Sequence, residues 1–211
     1  MGEYHSGSGK QYQSLIMITL GTGIGGGAVY NGKLFPGFNG FGGEYGHIPL
    51  VHNGVKCGCG RLGCFEAYGS ANALKRETRE MAEQHPESVI WEMCEGNLDN
   101  IGGRTAFDAA EKGDETGKAI VEQYISYLAD GISGIINMFR PEVIVVGGGD
   151  DFDNVKNATE RVNKELDREC IVLTGARTDI NRLVAPADLF IGVSRAALEA
   201  MAAEKPVIIA G

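Results

Sequence analysis

The segment Leu15-Ile-Met-Ile-Thr-Leu-Gly-Thr-Gly-Ile-Gly-Gly-Gly-Ala-Val-Tyr30 decides how this chain of 211 residues is built. Leu15 to Leu20 is an apolar, β-favouring run that stops at Gly21, and Ala28-Val29-Tyr30 resumes it before Asn31-Gly32. The pattern reads as strand, glycine turn, strand and hairpin turn. Gly21-x-Gly23-x-x-Gly26 formally matches a dinucleotide fingerprint, with Glu44 near the spacing of a ribose-binding acid. That fingerprint must open a helix, and Gly25-Gly26-Gly27 followed by Val29 and Asn31-Gly32 cannot sustain one. No Lys-Ser/Thr pair follows, so it is not a Walker loop either. What remains is a turn whose bare N–H groups, with the Thr22 hydroxyl, suit phosphate oxygens.

Downstream, Lys33 to Gly63 is broken by Pro36, Gly37, Asn39, Gly40, Gly42 and Gly43 and reads as loop. Ser70 is an N-cap for a helix to about His85, closed by Pro86 and polar enough to lie exposed. Thr116 to Phe139 carries Ile120, Tyr124, Leu128, Ile132, Ile135 and Phe139 at helical spacing and predicts a core helix. Pro141 stops it. Glu142 to Val146 then reads as a buried strand that delivers Gly147-Gly148-Gly149 at its C-terminal end, where ligands sit in open α/β sheets.

The balance of 28 acidic against 19 basic residues leaves a net charge of -9, which disfavours nucleic acid and anionic membranes as partners. No apolar run approaches the roughly 20 residues of a bilayer crossing, and Met1 to Lys10 is polar rather than signal-like. A cytoplasmic protein is expected. Five cysteines, an odd number, argue against a disulfide framework.

Three of those cysteines, Cys57, Cys59 and Cys64, lie in one eight-residue stretch, ten positions after His47. Three thiolates and an imidazole form a closed set for tetrahedral zinc, a structural site with no open position. Gly58, Gly60 and Gly63 allow the turns that wrap sulfurs around one ion. His52 is an alternative fourth ligand. Glu44, His47 and Glu66, on rigid backbone beside this loop, have the chemistry to hold a polyhydroxylated ligand.

Four segments, Leu20-Gly-Thr-Gly-Ile-Gly-Gly-Gly27, Gly43-Glu-Tyr-Gly-His47, Cys57-x-Cys59-Gly-x-x-Gly-Cys64-x-Glu66 and Pro141-Glu-Val-Ile-Val-Val-Gly-Gly-Gly149, together resemble the ROK (repressor, open reading frame, kinase) sugar kinases, its bacterial glucokinases in particular. The resemblance implies an actin-like ATPase (ribonuclease H-like) fold of which residues 1–149 are the C-terminal lobe. It implies Mg-ATP as cosubstrate, with Gly21, Thr22 and Gly23 near the phosphates and Gly147, Gly148 and Gly149 near adenosine. Glu44, His47 and Glu66 would hold a glucose-like hexose, His47 ligating zinc with its other ring nitrogen. Family members are often homo-oligomers. The family's Asp-Gly-Gly-Thr hairpin and its catalytic Asp fall upstream of Met1, so this chain is expected to be inactive alone.

From about Asp150 the resemblance changes. Residues 150–211 resemble the donor-binding half of GT-B glycosyltransferases, a partial Rossmann-like βαβ segment with Glu199 at the ribose-contacting position and Ile191 where the partner acid would stand. The runs near 171–173, 189–193 and 207–209 are expected to be parallel strands, beside the Val143 strand or apart from it. A glycosyltransferase fragment and a zinc-stabilised sugar-binding regulatory module are the alternative functions.

Overall fold

The computed structural model describes residues 11–148 and the strand segments 171–173, 190–192 and 207–209. Strand β1 (Leu15–Leu20) pairs antiparallel with β2 (Ile24–Tyr30), Leu15 opposite Val29 and Leu20 opposite Ile24. β2 turns into β3 (Lys33–Leu34) through Asn31 and Gly32, with φ of 50 and 74, a two-residue hairpin turn of the kind Asn-Gly favours. The other side of β1 pairs in parallel with β4 (Val143–Gly148), and β5 (Ile171–Leu173) continues in parallel beyond it. The five strands run in the order β3-β2-β1-β4-β5. β6 (Phe190–Gly192) and β7 (Val207–Ile209) pair with each other in parallel, in a separate two-stranded sheet. The remainder of residues 150–211, Glu199 included, lies outside the described residues, as does Gly149.

The strands alternate as a sheet buried on both faces requires. Ile16, Ile18, Ile144 and Val146 join the main core, while Leu15, Val29, Val143 and Val145 form a second cluster. Helices cover the first face: α1 (Glu66–Gly69), α2 (Ala71–Gln84), α3 (Ile90–Met93), α4 (Thr105–Glu111) and the 25-residue α5 (Glu115–Phe139). Only α2 and α5 carried a long enough period to be read from sequence. Ser70 caps α2, its hydroxyl accepting from Ala73 N–H at 3.1 Å. The helix is not exposed all round, as its polar composition suggested. Ala73, Leu74, Thr78 and Ala82 are buried, a stripe too short in large apolar side chains to register as a core face.

α5 ends at Arg140 in the left-handed conformation, φ 46, immediately before Pro141. Its start is fixed by Asp114, whose carboxylate accepts from Gly117 N–H at 2.7 Å, Ser88 Oγ–H at 3.0 Å and Val89 N–H at 3.1 Å. Burial raises the Asp114 pKa, but these three hydrogen bonds outweigh it and hold the group below the ordinary aspartate value. A depressed folded pKa stabilises above the unfolded value, and the contribution is lost as pH falls through the folded one. Asp114→Ala is therefore expected to cost about 2 kcal/mol near neutral pH. In urea unfolding the gap to the parent chain should narrow as the pH falls below the ordinary aspartate range. An equal gap at pH 7 and at pH 2.5 would show that the cap does not act through its charge.

Candidate functional site

The parallel register of β1 and β4 sets Gly147 opposite Thr19 and Gly148 opposite Leu20, one residue before the Gly21 turn. Two glycine-rich segments thereby meet at the C-terminal edge of neighbouring parallel strands. The turn is shorter than the sequence suggested. Residues 25–27 belong to β2, because this strand passes close under the Tyr45 ring. A Cβ on Gly26 would stand against that ring and the Met17 carbonyl, and one on Gly25 against the Thr19 hydroxyl, so these two glycines serve packing, while a Cβ on Gly27 would meet nothing within 4 Å.

The turn proper is Gly21-Thr22-Gly23. Gly21 N–H donates to Gly23 O at 3.0 Å, and Gly21 O accepts from Ala71 N–H at 2.9 Å, which ties the turn to the start of α2. Among the described residues nothing accepts from Thr22 and Gly23 N–H, and Thr22 is exposed. These two amides and the Thr22 hydroxyl are the groups left for an anion.

Glu66, first residue of α1, lies across the gap. Its Oε2 accepts from Ile24 N–H at 2.9 Å, and its Oε1 accepts from the Cys57 thiol at 3.6 Å. The carboxylate fills the space where a Cβ of Gly23 would project, so a side chain at residue 23 would displace the end of Glu66 from this position. Each residue stands in its own local motif, but nothing in the sequence advertised that the two meet, since they are 43 residues apart.

The eight-residue cysteine stretch closes on His47. That histidine ends a 3-10 turn (Tyr45–His47), which sits against β2 because Gly46 lets it approach the Ile24 carbonyl. One ligand atom from each of His47, Cys57, Cys59 and Cys64 lies within 4.8 Å of every other. Cys57 Sγ is 3.6 Å from His47 Nδ1, and Cys59 Sγ is 3.6 Å from Cys64 Sγ. A zinc tetrahedron with Zn–S near 2.3 Å and Zn–N near 2.0 Å has edges of about 3.5–3.8 Å, which these separations match. His52 is not one of the four; its Nε2 faces the Asn53 amide at 3.1 Å, on the exposed side.

Charge supports the fit. Hydrogen bonds from the Arg61 backbone and guanidinium draw the exposed Cys59 thiol down to about 6, whereas burial and the adjacent thiols push Cys64 up to about 12. Three sulfurs this close ionise together only around a cation. The loop is then held by backbone: Leu50 N–H donates to Gly63 O at 2.7 Å, Gly63 N–H to Val55 O at 2.8 Å and Phe65 N–H to Ile48 O at 2.9 Å. Val55 N–H also donates to the Tyr68 hydroxyl at 2.7 Å, a contact sequence reading did not find. With Nδ1 turned to Cys57, His47 points Nε2 toward the exposed Glu44 carboxylate, 3.9 Å away.

No helix among the described residues is long and apolar enough to cross a membrane. Comparison with known proteins bears on the site as a whole. The chain is 38% identical over 149 residues to a glucokinase of Thermotoga maritima, covering 71% of this chain and 47% of that one. It is 30% identical over 145 residues to a xylose repressor of Bacillus subtilis, covering 69% of this chain and 34% of the repressor. The chain thus spans about half the length, or less, of the curated relatives it matches. A crystal structure of a ROK family glucokinase from Streptomyces griseus, in complex with glucose and AMPPNP, superposes with a TM-score of 0.70 at 32% identity, over 83% of this chain and 59% of that chain. The mixed sheet and its helical cover are accordingly an actin-like ATPase lobe. The ROK family model matches residues 1–186, running past Gly149 into the segment that resembles glycosyltransferases, and with that match the chain belongs to the ROK family.

Proposed function

We propose that this chain supplies the C-terminal lobe of an ATP-dependent hexose kinase, with residues 1–149 as the working lobe and 150–211 as a parallel-stranded segment after it. One observation carries the reading. The Glu66 carboxylate touches the cysteine cluster on one side and the glycine turn on the other, so a single side chain spans the sugar end and the phosphate end. Similarity to glucokinases, one of them solved with glucose and an ATP analogue, supports glucose and Mg-ATP as the ligand classes.

In this reading Glu44 and Glu66 accept hydrogen bonds from adjacent sugar hydroxyls, and His47 Nε2 contacts a third. Together they fix which hydroxyl faces the Thr22 and Gly23 amides, and those amides hold phosphate oxygens. Gly147, Gly148 and Gly149 leave room for the adenosine. Zinc, held by His47, Cys57, Cys59 and Cys64, supplies no chemistry beyond locking the loop that carries His47 and leads into Glu66. Phosphoryl transfer of this kind depends on positioning and charge stabilisation more than on covalent participation by the protein. The general base belongs by family to the other lobe. A sugar-sensing regulatory module is the second reading, supported by the xylose repressor likeness.

An ATP-coupled assay with glucose, mannose and N-acetylmannosamine decides between them. The chain alone should give background rates. Fused in frame behind the N-terminal half of the Thermotoga maritima glucokinase, it should turn over ATP in the presence of glucose. Glu66→Ala in that chimaera should lower kcat/KM by about 100-fold or more. Robust turnover by the isolated chain would disprove the placement of the base. A folded, metal-loaded chimaera that binds glucose without turnover would favour the sensor.

A further inference from the structure

The four ligating side chains are not equivalent. Cys57 and Cys64 are buried at 4% and 1% exposure, while Cys59 is exposed at the tip of its turn. They also fall into two pairs. Cys57 is engaged by His47 Nδ1 and Glu66 Oε1, both at 3.6 Å, whereas Cys59 Sγ has Cys64 Sγ at 3.6 Å. We propose that Cys59 is a site of oxidation by hydroperoxides, resolved by Cys64 as a disulfide whose formation ejects the metal and unlocks the loop leading into Glu66. The regulatory part of this rests on the zinc and kinase reading above; the oxidation site itself does not.

Solvent reaches the Cys59 sulfur first. The Cys59 thiolate attacks one peroxide oxygen, the O–O bond breaks, and the other oxygen leaves as an alcohol or water after taking a proton. Cys59 is then a sulfenic acid. Cys64 sulfur attacks the Cys59 sulfur, the S–O bond breaks, and the hydroxide leaves as water with a second proton. Two electrons pass from the two sulfurs to the peroxide, and zinc departs as the divalent cation.

The turn can make the movement this needs. Bond formation brings the sulfurs from 3.6 Å to about 2.05 Å. A Cβ at Gly58 or Gly60 would meet nothing within 4 Å, so the tip moves through open space. Cys57 is a poor competitor. One residue separates it from Cys59, too few for an unstrained disulfide. Its backbone is also fixed, Cys57 N–H donating to Arg61 O at 2.8 Å and Cys57 O accepting from Gly60 N–H at 2.9 Å. A Cys59–Cys64 disulfide leaves zinc only His47 and Cys57, half of a tetrahedron.

The test treats the zinc-loaded chain with hydrogen peroxide, following free zinc with a chromogenic chelator and the protein by intact mass. Expected are release of about one zinc per chain and a mass lower by about 2 Da, both reversed by dithiothreitol with added zinc. Trypsin cuts after Arg61, so the disulfide should hold the 57–61 and 62–75 peptides together, with fragmentation assigning it to Cys59. Cys59→His keeps a fourth ligand but cannot form the bond, and should release zinc at least about tenfold more slowly. Cys94→Ser and Cys170→Ser should behave as the parent. Zinc retained under peroxide, equal release from Cys59→His, or a disulfide through Cys57, Cys94 or Cys170 would each overturn the proposal. A chain that carries no metal yet forms the Cys59–Cys64 bond would overturn the zinc reading and leave the oxidation site standing.

Discussion

Cys64→Ser, or stripping of the chain with a strong zinc chelator, is expected to lower the thermal midpoint by about 10 °C or more, corresponding to about 3–5 kcal/mol. Cys64 is almost fully buried and packs with Cys57, Ala67, Tyr68, Leu50, Val51, Val55 and Tyr127 in a small cluster separate from the main core. That cluster has few large apolar side chains. In the zinc reading its order depends on a cation that gathers the sulfurs, as well as on the short backbone ladder from Leu50 to Phe65. Without the ion, ligand pairs 3.6 Å apart lose what offsets their desolvation, and the loop loses its cross-link. Elemental analysis of protein purified without added metal should show about one zinc per chain. The chelated parent and Cys64→Ser should melt together, while Cys94→Ser stays near the parent. A metal-free chain with an unchanged midpoint would remove the site from the description of this protein.

How far the sequence carried the structure depends on the range of each contact. β1, α5 and β4 were readable because their periods or apolar runs are local and long, and the cysteine stretch because ligands and glycines alternate within eight residues. His47 was preferred to His52 from the sequence, but what seats it beside the cysteines is not local. That placement follows from the bridge of Pro49 to Cys64 and from the 3-10 turn that seats His47, neither visible in composition. Gly25 to Gly27 looked like part of a turn because glycine runs usually are. Here they form strand, paired with Thr19 to Met17 of β1, and at Gly26 the ring of Tyr45, 19 residues on, occupies the space a side chain would need. α3 and α4 escaped notice because four and seven residues are too few to show a period. The parallel pairing of β4 with β1 was not legible, because it joins segments far apart in the chain, and it aligns Gly147 and Gly148 with the end of β1.

Phe65→Ala is expected to be the most damaging single core substitution, costing about 3–5 kcal/mol. The ring is fully buried, and the chain makes room for it from two helices. A Cβ at Gly131 of α5 would collide with three atoms of the ring, and one at Gly69 of α1 would press on its edge. Glycine inside a 25-residue helix is unfavourable by about 1 kcal/mol relative to alanine, so Gly131 is retained against its own propensity to admit this ring. Gly131→Ala should therefore destabilise, by about 1–3 kcal/mol, where propensity alone predicts a gain. The two sites are in contact, so the double variant should cost clearly less than the sum, the new methyl entering the space the ring has left. Denaturant unfolding of the four proteins in the cycle reads this directly. Additive losses would mean that Gly131 and Phe65 do not share a cavity. The same series reports on the site, because in the sequence Phe65 stands between Cys64, a ligand in the zinc reading, and Glu66. Zinc content and glucose binding should fall with Phe65→Ala and recover in part in the double variant, if packing at residue 65 is what aims its two neighbours.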